Sequence, residues 1–214
     1  MRVFDYLFRE GLRGVMHRSW EKVSAVFGGA SARTVFLYAE EMRLNRSNNL
    51  GADISCMGYK DLDEFEQFNF FPHISGKRYL ETEGWGSVIC REAGRIVGYA
   101  CYEIGGLKKI HGTGTFQLEA NEAWIGPCYV DQDYRGRGIN AAMVSRAIDE
   151  VSAKGVIRCF TAINSANASS LSSFRKMGFS PFIEYNSAQR GFNVCDVSTP
   201  AEWVSKISIE GVCR

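Results

Sequence analysis

The stretch DYRGRGINAAMV, residues 133–144, sets two arginines and two glycines in four consecutive positions and then turns apolar. Gly136 and Gly138 permit a tight turn and a close approach of backbone to a ligand. Beyond them Ile139, Met143, Ala147 and Val151, flanked by Val144 and Ile148, recur at helical spacing until Gly155, which predicts a helix. The first amides of such a helix have no intrahelical partner, and Arg135 and Arg137 add positive charge beside them. The combination suits an anion, phosphate above all.

Two familiar phosphate motifs fit poorly. GRGINA matches G-x-G-x-x-A, but a dinucleotide site wants an acid about 20 residues on, at the end of the next strand. That strand ends here at Ile163 and Asn164, and the motif lies past mid-chain. A P-loop fails because no G-K-[ST] follows. Taken alone, the turn could equally be a basic start to an ordinary helix.

Around this turn, 214 residues suffice for one well-cored domain. A formal charge of +1 argues against a nucleic-acid coat. The seven cysteines include no C-x-x-C pair and sit mostly in apolar company, as reduced core residues do, so a cytoplasmic location is expected. Residues 1–24 carry charges throughout, unlike a signal peptide, and no apolar run is long enough to span a bilayer. Val3, Leu7, Leu12, Val15 and Met16 share one face of a predicted helix there. That face would cover the domain or a partner subunit, with docking to an anionic membrane as the alternative. RTVFLYAEEM, from Arg33, is β-prone and predicts a strand added to the sheet or paired with a second copy. Residues 1–50 thus read as an N-terminal helix–strand extension that helps form a homodimer, ahead of a domain at 51–214.

From about residue 52 the predicted order is β-α-α-β-β-β-α-β-α-β-β, a mixed α/β arrangement. Glu92–Gly94 signals a hairpin, GGLKKIHGTGT reads as a loop, and Gly126-Pro127 predicts a bulge or break in the strand EAWIGPCYV. NASSLSSFRKM reads as a helix stopped by Gly178.

The strand, the turn Arg135-Gly136-Arg137-Gly138-Ile139-Asn140 and the later set Asn167, Ser170, Phe174, Gly178 and Phe179 together resemble the GCN5-related N-acetyltransferase (GNAT) family over about residues 52–186. The resemblance implies the family's acyl-CoA N-acyltransferase fold and direct acetyl transfer from acetyl-CoA to an amine of a small molecule or sugar. Amides of residues 136–140 would then hold the coenzyme A pyrophosphate. Backbone groups around Cys128 and Val130 would pair with the pantetheine arm, and a bulge there would aim an amide at the thioester oxygen. Asn167, Ser170 and Phe174 belong to the same cofactor-binding set. Arg135 and Arg137 either reach phosphate oxygens or stay solvated.

Three positions depart from the family pattern. Asn140 replaces a small residue, Phe174 stands where a tyrosine often protonates the thiolate, and Gly126 stands where many relatives carry a glutamate base. Candidate replacements are Tyr129 as acid, with Glu103, Glu122 and His111 as bases, each weighed against a packing or solvated role. Acceptor specificity is expected from residues 61–83 and 105–120, and the run IGPCYVDQDYRGRGI resembles acetyltransferases of bacterial surface-carbohydrate pathways. A degenerate member that binds coenzyme A or a partner without catalysis is the competing reading.

Overall fold

The computed structural model describes residues 33–40, 52–68, 75–110, 114–186, 191–195 and 201–209. The expected helix at 1–24 and His111 lie outside the described residues. Among the described residues nine strands form one sheet: β1 (Arg33–Glu40), β2 (Asp53–Cys56), β3 (Trp85–Glu92), β4 (Arg95–Ile110), β5 (Gly114–Val130), β6 (Arg158–Asn164), β7 (Ser180–Asn186), β8 (Gly191–Val194) and β9 (Ile207–Ile209). Five helices accompany them: α1 (Leu62–Phe68), α2 (Gly76–Glu81), α3 (Ile139–Ser152), α4 (Ala168–Lys176) and α5 (Ala201–Ser205). The strand order is β2-β3-β4-β5-β6-β1-β7-β8, with β9 on β5.

The α3 stripe predicted from its spacing packs against the sheet. Ile139, Met143, Val144, Ala147, Ile148 and Val151 are all buried, in one core with Val88, Val97, Ala100 and Ile125. The opposite face holds two further clusters. Phe65, Phe68 and Tyr79 of α1 and α2 cover Ile89, Tyr99 and Cys101, whereas Trp203 and Ile207 join Phe36, Phe116, Phe160 and Phe182. Cys90, Cys101 and Cys159 are free thiols inside this core, and burial pushes them up to about 11, 12 and 12 respectively. They stay neutral and serve as small packing residues.

The placement of β1 follows from the chain's topology. β6 and β7, linked through α4, run parallel with one strand's width between them, and β1 fills that slot antiparallel to both. Its β-branched and aromatic residues suit an interior strand, and Phe36 and Leu37 are wholly buried, one toward each face. Each such side chain contributes roughly 1.5–3 kcal/mol. Both edges of β1 are therefore paired within the chain, and none is left for a second copy.

The stretch read as a loop, GGLKKIHGTGT, is instead mostly strand. β4 continues to Ile110 and β5 begins at Gly114, paired from Gly106↔Leu118 to Ile110↔Gly114. The glycines that suggested a loop bend the ladder rather than end it: Gly105 and Gly106 have φ of 63° and 79°, where the register shifts. The predicted hairpin at Glu92–Gly94 is present, with Ala93 and Gly94 at φ 49° and 79°. Among the described residues no helix is long and apolar enough to cross a membrane.

Candidate active site

Among the described residues the sheet parts between β5 and β6. β5 and β6 pair in parallel at Glu122↔Arg158, Ala123↔Cys159 and Trp124↔Phe160, and no further. β5 runs on to Val130 and β6 to Asn164, so among the described residues β5 from Ile125 onward keeps only its β4 partner on the other edge. Here β5 also carries the predicted bulge: Ala100 pairs with Cys128 but Tyr102 with Ile125, so Gly126 and Pro127 add one residue to this side. The gap lies at the carboxyl ends of two parallel strands, where open sheets bind ligands.

The RGRG turn stands at the end of this gap. Gly136 and Gly138 adopt φ of 79° and 80°, a region that excludes most side chains. Gly138 is the N-cap of α3 and offers no side-chain acceptor, so the amides of Asn140 and Ala141 have no N-cap oxygen and join that of Ile139 among the helix's free first donors. These uncapped donors, the helix dipole and a glycine cradle fit a pyrophosphate. The unpaired edge of Ile125–Val130, which includes Cys128 and Val130, fits an extended amide-bearing arm. The site therefore matches coenzyme A in both its charged and its extended parts.

The two arginines are partly engaged. Arg135 donates from Nε to the Val130 carbonyl at 2.9 Å, and its guanidinium lies 5.6 Å from the Tyr129 ring centre, tying the turn back to β5. Arg137 is exposed, pairs with Glu92 at 3.3 Å and lies over Tyr134. Asn140, at the first turn of α3, is only half-buried. Asn167 caps α4, its Oδ1 accepting from the Ser170 amide at 3.1 Å and from the Ser169 hydroxyl. Ser170 thus meets its N-cap through its backbone. Phe174 is enclosed by the core, edge-on to Phe179 at 5.0 Å.

The candidate acid and bases are spread over the opposite face. Tyr129 stacks on Tyr99 at 6.0 Å and meets Phe68 edge-on at 5.5 Å, beneath α1. Glu103 is buried one strand away, opposite Trp124 and Trp85, and its carboxylate accepts from the Lys108 ammonium. Glu122 sits where β5 and β6 still pair. Its two oxygens accept from Arg158 at 2.8 Å, from Lys206 at 2.9 Å and from the Glu119 amide at 3.0 Å. A carboxylate held by two cations and an amide braces α5 and β9 against the sheet. Cys128 has a thiol that burial pushes well above its ordinary range, which removes it as a nucleophile.

Two polar atoms at the gap escaped the sequence reading. A Cβ on Gly126 would lie 3.8 Å from Trp124 Nε1 and 3.9 Å from Thr161 Oγ1, with no other described atom beyond its chain neighbours within 4 Å. Thr161 was legible in principle, as a hydroxyl in line with Cys159 and Ile163 on a buried strand.

Comparison with known proteins agrees with this architecture. A search of curated proteins returned no match. Among solved structures, an acetyltransferase of the GNAT family from Novosphingobium aromaticivorans shares 18% identity and a TM-score of 0.53, over 70% of this chain and 60% of that one. A GNAT acetyltransferase from Colwellia psychrerythraea gives 16% identity and a TM-score of 0.51, over 70% of this chain and 53% of that one. AAC(6')-Iy, in complex with the bisubstrate analogue CoA-S-monomethyl-acetylneamine, gives 17% identity and a TM-score of 0.51, over 61% of this chain and 92% of that one. The sequence itself matches the acetyltransferase (GNAT) family model over residues 57–179, a span that holds the bulge, the turn, both flanking helices and more than half of the chain. The chain belongs to the GNAT acetyltransferase family.

Proposed function

We propose that this protein is an acetyl-CoA-dependent N-acetyltransferase whose acceptor is an amine of a small molecule or amino sugar. The observation that carries this reading is the parting of β5 from β6 with the uncapped start of α3 at its end. The unpaired edge of Ile125–Val130 receives the pantetheine arm as an added strand, and the amides of Gly138, Ile139 and Asn140 receive the pyrophosphate. Acetyl-CoA supplies the acetyl group as a thioester, and the acceptor amine forms the new C–N bond as the C–S bond breaks. The chain's share is to hold donor and acceptor in line and to place backbone donors near the thioester oxygen. The acceptor enters from the face of α1 and α2, where Tyr129 and Glu103 are the nearest candidates to move a proton.

The AAC(6')-Iy complex with an acetylneamine-bearing bisubstrate analogue favours an amino sugar as the first acceptor class to try. A second reading, a coenzyme A binder without catalysis, draws on the enclosed Phe174, the fully bonded Glu122 and a glycine at position 126. Thermal unfolding with acetyl-CoA, longer acyl-CoAs and NADPH separates these from a dinucleotide enzyme, because stabilisation grows with ligand excess over its dissociation constant. Acetyl-CoA should raise Tm, and thiol release from it should require an added amine. Stabilisation by NADPH but by no coenzyme A ester would overturn the reading; stabilisation without amine-dependent thiol release across amino sugars and polyamines would favour the binder.

A further inference from the structure

Trp124 and Thr161 face the parting from its two walls. Trp124 is the last β5 residue paired with β6, and its ring packs among Phe116 and the aromatic cluster. Thr161 follows the last paired residue of β6, and strand alternation places it with Cys159 and Ile163, on the other face. Both residues are at most 5% exposed. Yet Trp124 Nε1 and Thr161 Oγ1 converge on the empty position beside Gly126, the bulge glycine with φ 129°.

Neither atom has a hydrogen-bond partner among the described residues. Among those residues the one fully enclosed side-chain nitrogen or oxygen without a partner is Trp203 Nε1. The two atoms at the gap are therefore open to it.

We propose that Trp124 Nε1–H and Thr161 Oγ1–H are the side-chain donors that receive the thioester carbonyl oxygen of the acetyl donor. The inference rests on the acetyl-CoA reading above. As the acceptor's neutral amine attacks the carbonyl carbon, the C–N bond forms and the oxygen gains negative charge. The C–S bond then breaks, the charge passes to sulfur, and the proton lost by the new amide nitrogen ends on the thiolate. The pair takes and gives no proton, as an indole N–H can only donate. Its effect is on charge at oxygen. Gly126 suits this arrangement because any Cβ would intrude where the oxygen sits.

The test is the infrared carbonyl stretch of acetyl-CoA labelled with carbon-13 at the carbonyl and bound to the native chain, to Thr161→Val and to Trp124→Phe. Hydrogen bonds to the oxygen lower that frequency, so each variant should return it toward the value in solution. Affinity for free coenzyme A, which has no carbonyl at this point, should stay within about threefold, and thiol release should slow about 10²-fold per donor removed. Thr161→Val keeps the β-branched shape of the strand, so it stays informative should Trp124→Phe fold poorly. A bound carbonyl that holds its native frequency in Thr161→Val overturns the proposal. Native protein that fails to bind acetyl-CoA at all overturns the proposed function instead, and this pair with it.

Discussion

β6 has two neighbours, and the chain treats them in opposite ways. On one side β1 pairs with it from Thr34↔Asn164 to Glu40↔Arg158, filling the slot before β7. On the other, β5 pairs for three residues and then turns away. The filled side is apolar on both faces and needs nothing more. The open side keeps a bulge, a glycine cradle, a helix start without a side-chain cap and two donors that have no partner among the described residues. An unsatisfied strand edge is a hazard unless something covers it. The contrast shows that this sheet can close a gap with its own sequence; on the acetyl-CoA reading proposed above, the remaining gap takes an extended ligand.

The largest expected effect comes from emptying the filled side. Leu37→Asp places an uncompensated charge at a wholly buried position of β1, and its cost of about 4 kcal/mol or more is a large part of the stability of a typical domain. Circular dichroism should show a melt lowered by tens of degrees or lost. A variant melting within a few degrees of the native chain would mean that β1 is no integral strand.

Next comes obstruction of the open side. Gly138→Val forces a β-branched residue to φ 80° and puts bulk at the phosphate cradle. Backbone strain of about 1–3 kcal/mol should lower Tm modestly, while coenzyme A affinity falls about tenfold or more by calorimetry. Unchanged affinity in the folded variant would move the anion elsewhere. The start of α4 offers the control. Asn167→Ala removes a satisfied cap, so it should cost about 1 kcal/mol of stability. It should leave coenzyme A affinity within about twofold if Asn167 acts chiefly as a cap. The smallest effect is expected for Arg137→Ala. This exposed arginine, already paired with Glu92, should contribute about two- to fivefold to affinity at low salt, and less as ionic strength rises.

These differences mark the limit of what could be read in advance. The glycine turn and the two helix starts were legible because their signals are local: Gly136 and Gly138 at a turn, the α3 stripe behind them, and Asn167 three residues before the amide it caps. Gly126-Pro127 announced the bulge in the same way. Glu122 could not be judged from its neighbours, since Arg158 and Lys206, which occupy it, lie 36 and 84 positions away. Phe174 was placed by motif spacing, but its enclosure against Phe179 depends on how α4 turns into β7. The stretch at 105–115 misled because glycines mark bulges as well as loops.

The sequence by itself determined the elements whose causes lie within one turn or one strand, and, through two motifs at the right separation, the family. Only the tertiary structure decided that β1 is interior, that β5 and β6 part after Trp124, and that Trp124 and Thr161 meet beside Gly126. The physical reason is range. A cap, a turn or an apolar stripe is an interaction among residues a few positions apart, whereas a strand's neighbour and a gap's lining are chosen by burial and backbone pairing across the whole chain.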